Sequence, residues 1–169
     1  MKLSAQEEYG LRCLLHLARL GTGRSSTIPE ISRAEGLSVP NVAKLMRILR
    51  LGGLVQSVRG QAGGYTLAKD PERISVASAL EVLGGKFFSP GFCQRHSGRQ
   101  QACAHSDDCS LRPLWRLIQT VLSEILERTS LKDLLEAEEQ VERKVRDLTA
   151  TVVPLVAGTA ADLRAAEQQ

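Results

Sequence analysis

The sequence has no apolar run approaching the roughly 20 residues that a membrane-spanning helix needs. It also lacks the apolar segment of a secretory signal peptide, because Glu7 and Glu8 stand among its first residues. No combination of Ser, His and Asp, or of Cys and His, is accompanied by a motif for a catalytic pocket. We therefore expect a cytoplasmic protein that has no membrane partner and is not an enzyme; an enzyme with a reactive thiol is the alternative.

Acidic residues are missing between Glu35 and Asp70, although this segment contains Lys44, Arg47, Arg50, Arg59 and Lys69. Residues 1–75 hold 11 of the 22 Lys and Arg but only 6 of the 19 Asp and Glu, so the basic excess is N-terminal. Such a distribution is typical of a surface that faces phosphates, which points to nucleic acid as a partner. A solvated basic face without a partner is the alternative.

Three helices are predicted in the first fifty residues. A capping box at Ser4 begins a helix over about 5–20, and a second box at Thr27 begins a short helix that Gly36 ends. Ser38 then caps a third helix, whose apolar residues recur at helical spacing and leave a polar face. That face contains Asn41, Lys44, Arg47 and Arg50. Two helices joined by a tight turn predict a helix-turn-helix whose second helix enters the major groove of DNA.

Strand-like runs at 54–59 and 65–68 flank a glycine-rich tip that includes Gln61. This pattern predicts a β-hairpin, or wing, from which Arg59 reaches toward the minor groove. A further short helix is expected at 75–84. The fold class is therefore mainly α with a small β-wing, and residues 1–84 form a winged helix-turn-helix DNA-binding domain.

Residues 85–110 lose all periodicity and contain three of the four cysteines: Cys93, Cys103 and Cys109. Clustered cysteines in a reduced compartment favour metal or redox chemistry over disulfides. Thiolates suit iron–sulfur clusters, zinc or Cu(I), and His96 and His105 add nitrogen donors. Three ordinary reduced cysteines are the alternative. Cys13 lies on the apolar stripe of the first helix and is interpreted as a buried small side chain.

A long apolar stripe predicts a helix that ends near Arg128, within a dimerisation region over 111–135. Pairing of this helix with its symmetry mate would give a homodimer that contacts two DNA half-sites. A new capping box is expected at Ser130. Residues 136–169 form a charged C-terminal helix, over 136–148, and a tail that is frayed from Gly158.

Several short motifs occur together in residues 1–135: Met1-Lys2-Leu3-Ser4, Ile31-Ser32 to Leu37-Ser38, Leu49-Arg50 to Gly53-Leu54-Val55, Ser57-Val58-Arg59-Gly60, Gly63-Gly64-Tyr65-Thr66-Leu67, the three cysteines and Leu114-Trp115. In this combination the chain resembles the iron–sulfur winged-helix transcription regulators of bacteria, of the IscR, NsrR and RsrR type. The resemblance implies that the start of the third helix faces the major groove, that Arg59 enters the minor groove and that the helix from Leu111 crosses its mate. Lys44 contacting a phosphate is the alternative for that residue. We expect the DNA-binding residues to be Ser38, Pro40, Asn41, Lys44, Arg47, Arg59 and Gln61.

The resemblance also implies that the three loop cysteines, Cys93, Cys103 and Cys109, ligate an iron–sulfur cluster. Some members place a histidine ligand three residues after the last cysteine, but Arg112 stands there and cannot ligate. Others use an acidic residue of the first helix, where this chain has Glu8, contributed by the partner subunit. An acid stabilised by the helix dipole is the alternative for Glu8.

A relative with a glutamate ligand adds a histidine one helical turn later, where this chain has Arg12. His96 or His105 as the fourth ligand therefore stays open, as does the choice between a [4Fe–4S] and a [2Fe–2S] cluster. We expect a homodimeric repressor of a pseudo-palindromic operator in double-stranded DNA, controlled by a cluster that senses redox state, nitric oxide or iron supply. The alternative is a winged-helix regulator with structural zinc or no metal and no redox switch.

Overall fold

The computed structural model describes residues 3–21, 23–60, 63–89, 91–99 and 102–166. It confirms a mainly helical chain with one two-stranded antiparallel sheet. None of the helices in these ranges is long and apolar enough to cross a membrane. The elements are α1 (Ala5–Leu20), α2 (Ile28–Glu35), α3 (Val39–Leu51), β1 (Val55–Val58), β2 (Gly64–Leu67), α4 (Val76–Leu83), α5 (Phe92–Arg95), α6 (Leu111–Glu127) and α7 (Glu138–Ala166).

The first two helices begin at the predicted capping boxes. Ser4 and Glu7 exchange side-chain and backbone hydrogen bonds at the start of α1, and Thr27 and Glu30 do the same at α2. Ser38 occupies the N-cap of α3, but its hydroxyl makes no capping hydrogen bond. Pro40 explains part of this difference, because a proline in the first turn has no N–H to donate to the cap.

The core of the N-terminal region is formed where α1, α2, α3, α4 and the wing meet. Every residue of the apolar stripe of α3 is fully buried there: Val42, Leu45, Met46 and Leu49. Cys13 is also fully buried, which confirms its interpretation as a small core side chain. Burial raises the pKa of the Cys13 thiol to about 11, and the nearby Glu35 carboxylate adds to this effect.

The wing is shorter than the sequence predicts. β1 and β2 pair in register from Val55 opposite Leu67 to Val58 opposite Gly64. The predicted runs began at residue 54 and ended at residue 68, and the backbone N–H of Ala68 still donates to the carbonyl of Leu54 at 2.9 Å. The hairpin therefore has the expected pairing with fewer regular residues.

The structure corrects three expectations about the second half of the chain. Residues 85–110 contain a one-turn helix, α5, where no regular element was predicted. The expected capping box at Ser130 forms reciprocal hydrogen bonds with Asp133, but only a 3₁₀ turn follows. The last helix runs to Ala166, well beyond the predicted 136–148. Ring contacts at the start of α5 favour the extra turn, because Phe92 stacks on His96 and meets Phe88 at a tilt with ring centroids 5.0 Å apart.

The chain returns to the N-terminal core after α6. The Leu131 N–H donates to the Ile74 carbonyl and the Val76 N–H donates to the Thr129 carbonyl, both at 2.8 Å. Leu131 is 0% exposed and belongs to the same core cluster as α1 and α3. The segment that follows α6 is thus attached to the N-terminal region by its backbone and by one apolar side chain.

We predict that Leu131→Ala lowers the free energy of unfolding by about 2–5 kcal/mol, because it leaves a cavity in the core. Leu51→Ala is the matched control: Leu51 is 66% exposed, so a change within about 0.5 kcal/mol is expected. Urea unfolding at a fixed protein concentration measures both values. Equal losses in the two variants would contradict the packing of Leu131 in the core.

Candidate nucleic-acid interface and cysteine loop

The outer face of α3 is basic and exposed. Lys44, Arg47 and Arg50 lie opposite its buried stripe, and all three are exposed to solvent. At the N-terminal end of the helix, Ser38 and Pro40 are exposed and Asn41 is half-buried. These predicted DNA-binding residues therefore share one accessible end and face of α3, which has the size and charge to enter a major groove.

The wing carries a further exposed cation. Arg59 directly follows β1 and is exposed. Gln61, the other wing residue predicted to bind DNA, lies outside the described residues. The first turn of α3 contains no acidic residue, and no acidic residue occurs in the chain between Glu35 and Asp70. The helix and the wing together thus present positive charge suited to a polyanion.

Arg12, which replaces a histidine ligand of one relative, forms an ion pair instead. Its Nε donates to Glu35 Oε2 at 3.1 Å, and a second guanidinium nitrogen donates to the Glu35 backbone carbonyl. Glu35 is the last residue of α2. Arg12 therefore ties α1 to the end of α2 in the DNA-binding region.

The three loop cysteines carry free thiols and are half-buried. Cys93 lies in α5, while Cys103 and Cys109 lie in the irregular segment before α6. Thiolates are the usual ligands of iron–sulfur clusters, so the donor set fits such a cluster in its chemistry. Within the described part of this single chain, however, no three His, Cys, Asp or Glu side chains are grouped to hold a metal ion. A site made from these cysteines needs a rearranged loop or a second chain.

The candidates for a fourth ligand occupy different surroundings. Glu8 is exposed in the first turn of α1, beside the capping residue Glu7. His96 stacks on Phe92 with ring centroids 4.2 Å apart, and its Nδ1 lies 2.8 Å from the Phe92 carbonyl oxygen. His105 is exposed in the loop. The structure does not bring any of these three into a group with all the cysteines.

Arg112 organises the loop in a way that sequence patterns missed. Its guanidinium donates to the backbone carbonyls of His105 at 3.2 Å and Ser106 at 2.5 Å. These carbonyls lie between Cys103 and Cys109, and Arg112 lies in the first turn of α6. The residue that replaces a histidine ligand therefore fastens the cysteine loop to the helix that follows it. In the sequence, Arg112 is notable only because it stands three residues after Cys109. That position bears on cluster ligation and gives no indication of these hydrogen bonds.

α6 carries a long apolar stripe that its own chain covers only in part. None of its side chains, all of which the structure describes, is fully buried. Leu111, Leu114 and Leu117 are each between 44% and 55% exposed. Contacts with α4 and α7 cover the remaining stripe, and Trp115 meets Phe87 edge to face at 6.0 Å. The N-terminal half of α6 thus offers an apolar surface to another chain.

We predict that three thiols of the reduced, metal-free protein react rapidly with a disulfide reagent at pH 8. The thiolate is the reactive form, and a pKa of about 11 leaves roughly one Cys13 in a thousand ionised at that pH. Cys13 should react only after unfolding, or slowly as the pH rises toward its pKa. Cys13→Ala should remove the slow thiol and keep the three fast ones. Four fast thiols in the native chain would contradict the burial of Cys13.

Comparison with known proteins confirms the family resemblance. A model of the Rrf2 family, described as an iron-dependent transcriptional regulator, matches residues 3–137. IscR of Sodalis glossinidius (strain morsitans) is 31% identical over 159 residues, which cover 94% of this chain and 93% of that relative. CymR of Bacillus subtilis (strain 168) is 31% identical over 134 residues, which cover 79% of this chain and 89% of that relative.

Solved structures agree with these matches. The structure of CymR, described as the global cysteine regulator of B. subtilis, has a TM-score of 0.64 at 28% identity and covers 80% of this chain and 96% of its own. T. potens IscR has a TM-score of 0.63 at 29% identity, with 80% of this chain and 86% of its own covered. Together with the basic helix and wing, these matches show that the chain belongs to the Rrf2 family of DNA-binding transcriptional regulators.

Proposed function

We propose that this regulator acts in the cytoplasm as a homodimer that binds a pseudo-palindromic operator and represses transcription. The observation that carries the proposal is the exposed basic face of α3, which is accompanied by an exposed arginine of the wing, Arg59. Lys44 and Arg47 would lie in or beside the major groove, where Asn41 is able to bond a base edge. Arg59 would enter the adjacent minor groove. Contacts to phosphates would add affinity that does not depend on sequence.

The apolar face of α6 supports dimerisation. Leu111, Leu114 and Leu117 are exposed on one helix, and a second copy of that helix would cover them by the same contacts in both directions. A two-fold dimer would present two recognition helices. Such helices must be separated by about 34 Å, one turn of DNA, to contact two half-sites.

We further propose that Cys93, Cys103 and Cys109 hold an iron–sulfur cluster, with Glu8 of the partner subunit as the fourth ligand. Two observations support this proposal: the three cysteines are free thiols of one loop, and the sequence is 31% identical to an IscR protein. When bound, a [4Fe–4S] or [2Fe–2S] cluster would supply a group that reacts with oxidants or nitric oxide and depends on iron supply. The exposure of Glu8 leaves its carboxylate accessible to another chain.

The position of the cysteine loop suggests how gain or loss of a cluster would affect the DNA-binding surface. The cysteines lie between α4 and α6, and Arg112 bonds their loop to the start of α6. A change in the loop would therefore act on the proposed dimer helix. A small shift of α6 would alter the spacing of the two recognition helices and hence the affinity for the operator.

One observation favours a second candidate function. The described residues of a single chain do not gather three metal-binding side chains. This favours a winged-helix regulator without a metal, which needs no such group and would have the same α3 and wing. A regulator whose loop holds structural zinc would need the same regrouping of side chains as a cluster. The match to CymR, whose structure is described as that of a cysteine regulator, is compatible with a regulator that an iron–sulfur cluster does not control.

We predict that Arg59→Ala weakens operator binding by about 1–3 kcal/mol, because the wing would lose its minor-groove contact. Arg143→Ala on the exposed face of α7 is the matched control and should leave the affinity unchanged. Titrations of a duplex that the native protein selects from a random pool, repeated at several salt concentrations, measure both variants. An unchanged affinity and salt dependence for Arg59→Ala would exclude a wing contact.

We also predict that Cys103→Ala abolishes the visible absorption of anaerobically purified protein and alters its operator affinity. Removal of one of three cysteine ligands leaves too few thiolates to retain the cluster. The visible spectrum, native mass and metal content of both proteins provide the measurement, with Cys13→Ala as the control that should keep the colour. A colourless native protein that contains zinc would favour the second candidate. A Cys103→Ala variant that keeps its redox response would contradict the cluster as the switch.

A further inference from the structure

The wing is attached to the segment between α1 and α2 by a buried serine. Ser26 is only 3% exposed, and its backbone pairs with β2 as an isolated bridge. Its N–H donates to the Tyr65 carbonyl at 2.9 Å, and the Tyr65 N–H donates back to the Ser26 carbonyl at 2.8 Å. Ser26 thus acts as a one-residue third strand that borders the two-stranded wing.

Gly64 makes this close approach possible. A Cβ atom at position 64 would lie 2.6 Å from the Ser26 carbonyl oxygen, which is too close for any side chain. The Gly64 φ angle of 153° also lies in a region that other residues rarely adopt. The backbone of β2 therefore packs directly against the backbone at Ser26.

The Ser26 side chain continues the connection into both neighbouring helices. Its hydroxyl lies 3.1 Å from His16 Nε2 in α1 and 3.5 Å from Glu30 Oε2 in α2. On the other side of the imidazole, His16 Nδ1 lies 3.8 Å from Glu35 Oε1. Glu35 also accepts the Arg12 hydrogen bonds. A chain of polar contacts thus runs from β2 through Ser26 and His16 to the last residue of α2.

This chain ends where the recognition helix is positioned. Glu35 is followed by Gly36, which adopts a left-handed conformation and ends α2, and then by the turn into α3. Ser32 holds that turn, because its hydroxyl donates to the Leu37 carbonyl at 2.5 Å. The wing and the start of α3 are therefore linked through polar groups that are buried or half-buried.

We propose that Ser26 and His16 are positioning residues that fix the wing relative to α3, so that both elements reach one DNA duplex together. The inference rests on the proposed contact between the wing and DNA. A pre-positioned wing loses less conformational freedom on binding, so its contact adds more to the affinity. A hydrogen bond between two half-buried or buried groups is directional and selects one arrangement, whereas an apolar pair would only fill the space.

Ser26→Ala tests the proposal, since it removes the hydroxyl and keeps the backbone bridge to Tyr65. We expect its affinity for the selected duplex to fall about 5- to 10-fold, the loss that corresponds to one hydrogen bond. Thr129→Ala is the matched control, because Thr129 is the other buried polar residue among the described residues. Its hydroxyl donates to the Ile125 carbonyl in the last turn of α6. That variant should bind within about twofold of the native protein.

Two substitutions of His16 provide a second test, because the conservative one should restore the DNA affinity that the other removes. His16→Leu should lose affinity to the same extent as Ser26→Ala. His16→Gln, whose amide can donate to or accept from the Ser26 hydroxyl, should recover most of it. A double-mutant cycle separates positioning from general destabilisation. In an Arg59→Ala background, where the wing contact is already lost, Ser26→Ala should cost less than about twofold.

Hydrogen exchange without DNA distinguishes failure of this inference from failure of the proposed function. The Tyr65 amide should exchange about tenfold faster in Ser26→Ala than in the native chain or in Thr129→Ala, since a less constrained wing opens more often. Unchanged exchange, or a Ser26 effect that persists in full in the Arg59→Ala background, would overturn the inference. If the native chain selects no duplex, the DNA-binding proposal fails, and the exchange result still decides whether Ser26 holds the wing.

Discussion

Burial of the apolar stripe of α3 fixes the rotation of that helix about its own axis. Val42, Leu45 and Leu49 are fully buried by α1, α2, α4 and the wing, so only one orientation of α3 hides them. In that orientation Lys44 and Arg47 must project into solvent. The surface proposed to face DNA is therefore a consequence of core packing, and it is formed without DNA.

The helices with local signals were predictable from the sequence. α1 and α2 begin where a serine or threonine is followed three residues later by a glutamate, and that pattern needs no distant partner. A similar pattern at Ser130, with Asp133 in place of the glutamate, is followed only by a turn. There Leu131 is buried in the core and its backbone N–H bonds the Ile74 carbonyl instead of continuing a helix. Local propensity decided the ends of elements only where tertiary contacts did not compete.

The parts of the site that escaped prediction depend on contacts between distant residues. Ser26 and Tyr65 pair through their backbones, and the residue pattern of neither segment predicts this bridge. His16 lies on a helix whose stripe was interpreted through its apolar residues alone. The sequence shows Arg112 only as a residue that cannot be a ligand, whereas in the structure its hydrogen bonds to two loop carbonyls hold the cysteine loop against α6. Such roles emerge only when the chain is folded.

α6 is held at both ends by different parts of the molecule, and this arrangement gives the proposed switch a physical route. Arg112 binds its first turn to the cysteine loop, while Thr129 and Leu131 bind the segment after it to the base of the DNA-binding region. A helix of this length transmits displacement along its axis because its backbone hydrogen bonds resist bending. A movement of the loop would therefore shift the position of α6 relative to the core that orients α3. In a two-fold dimer that pairs through α6, the same shift would occur twice and would change the distance between the two recognition helices.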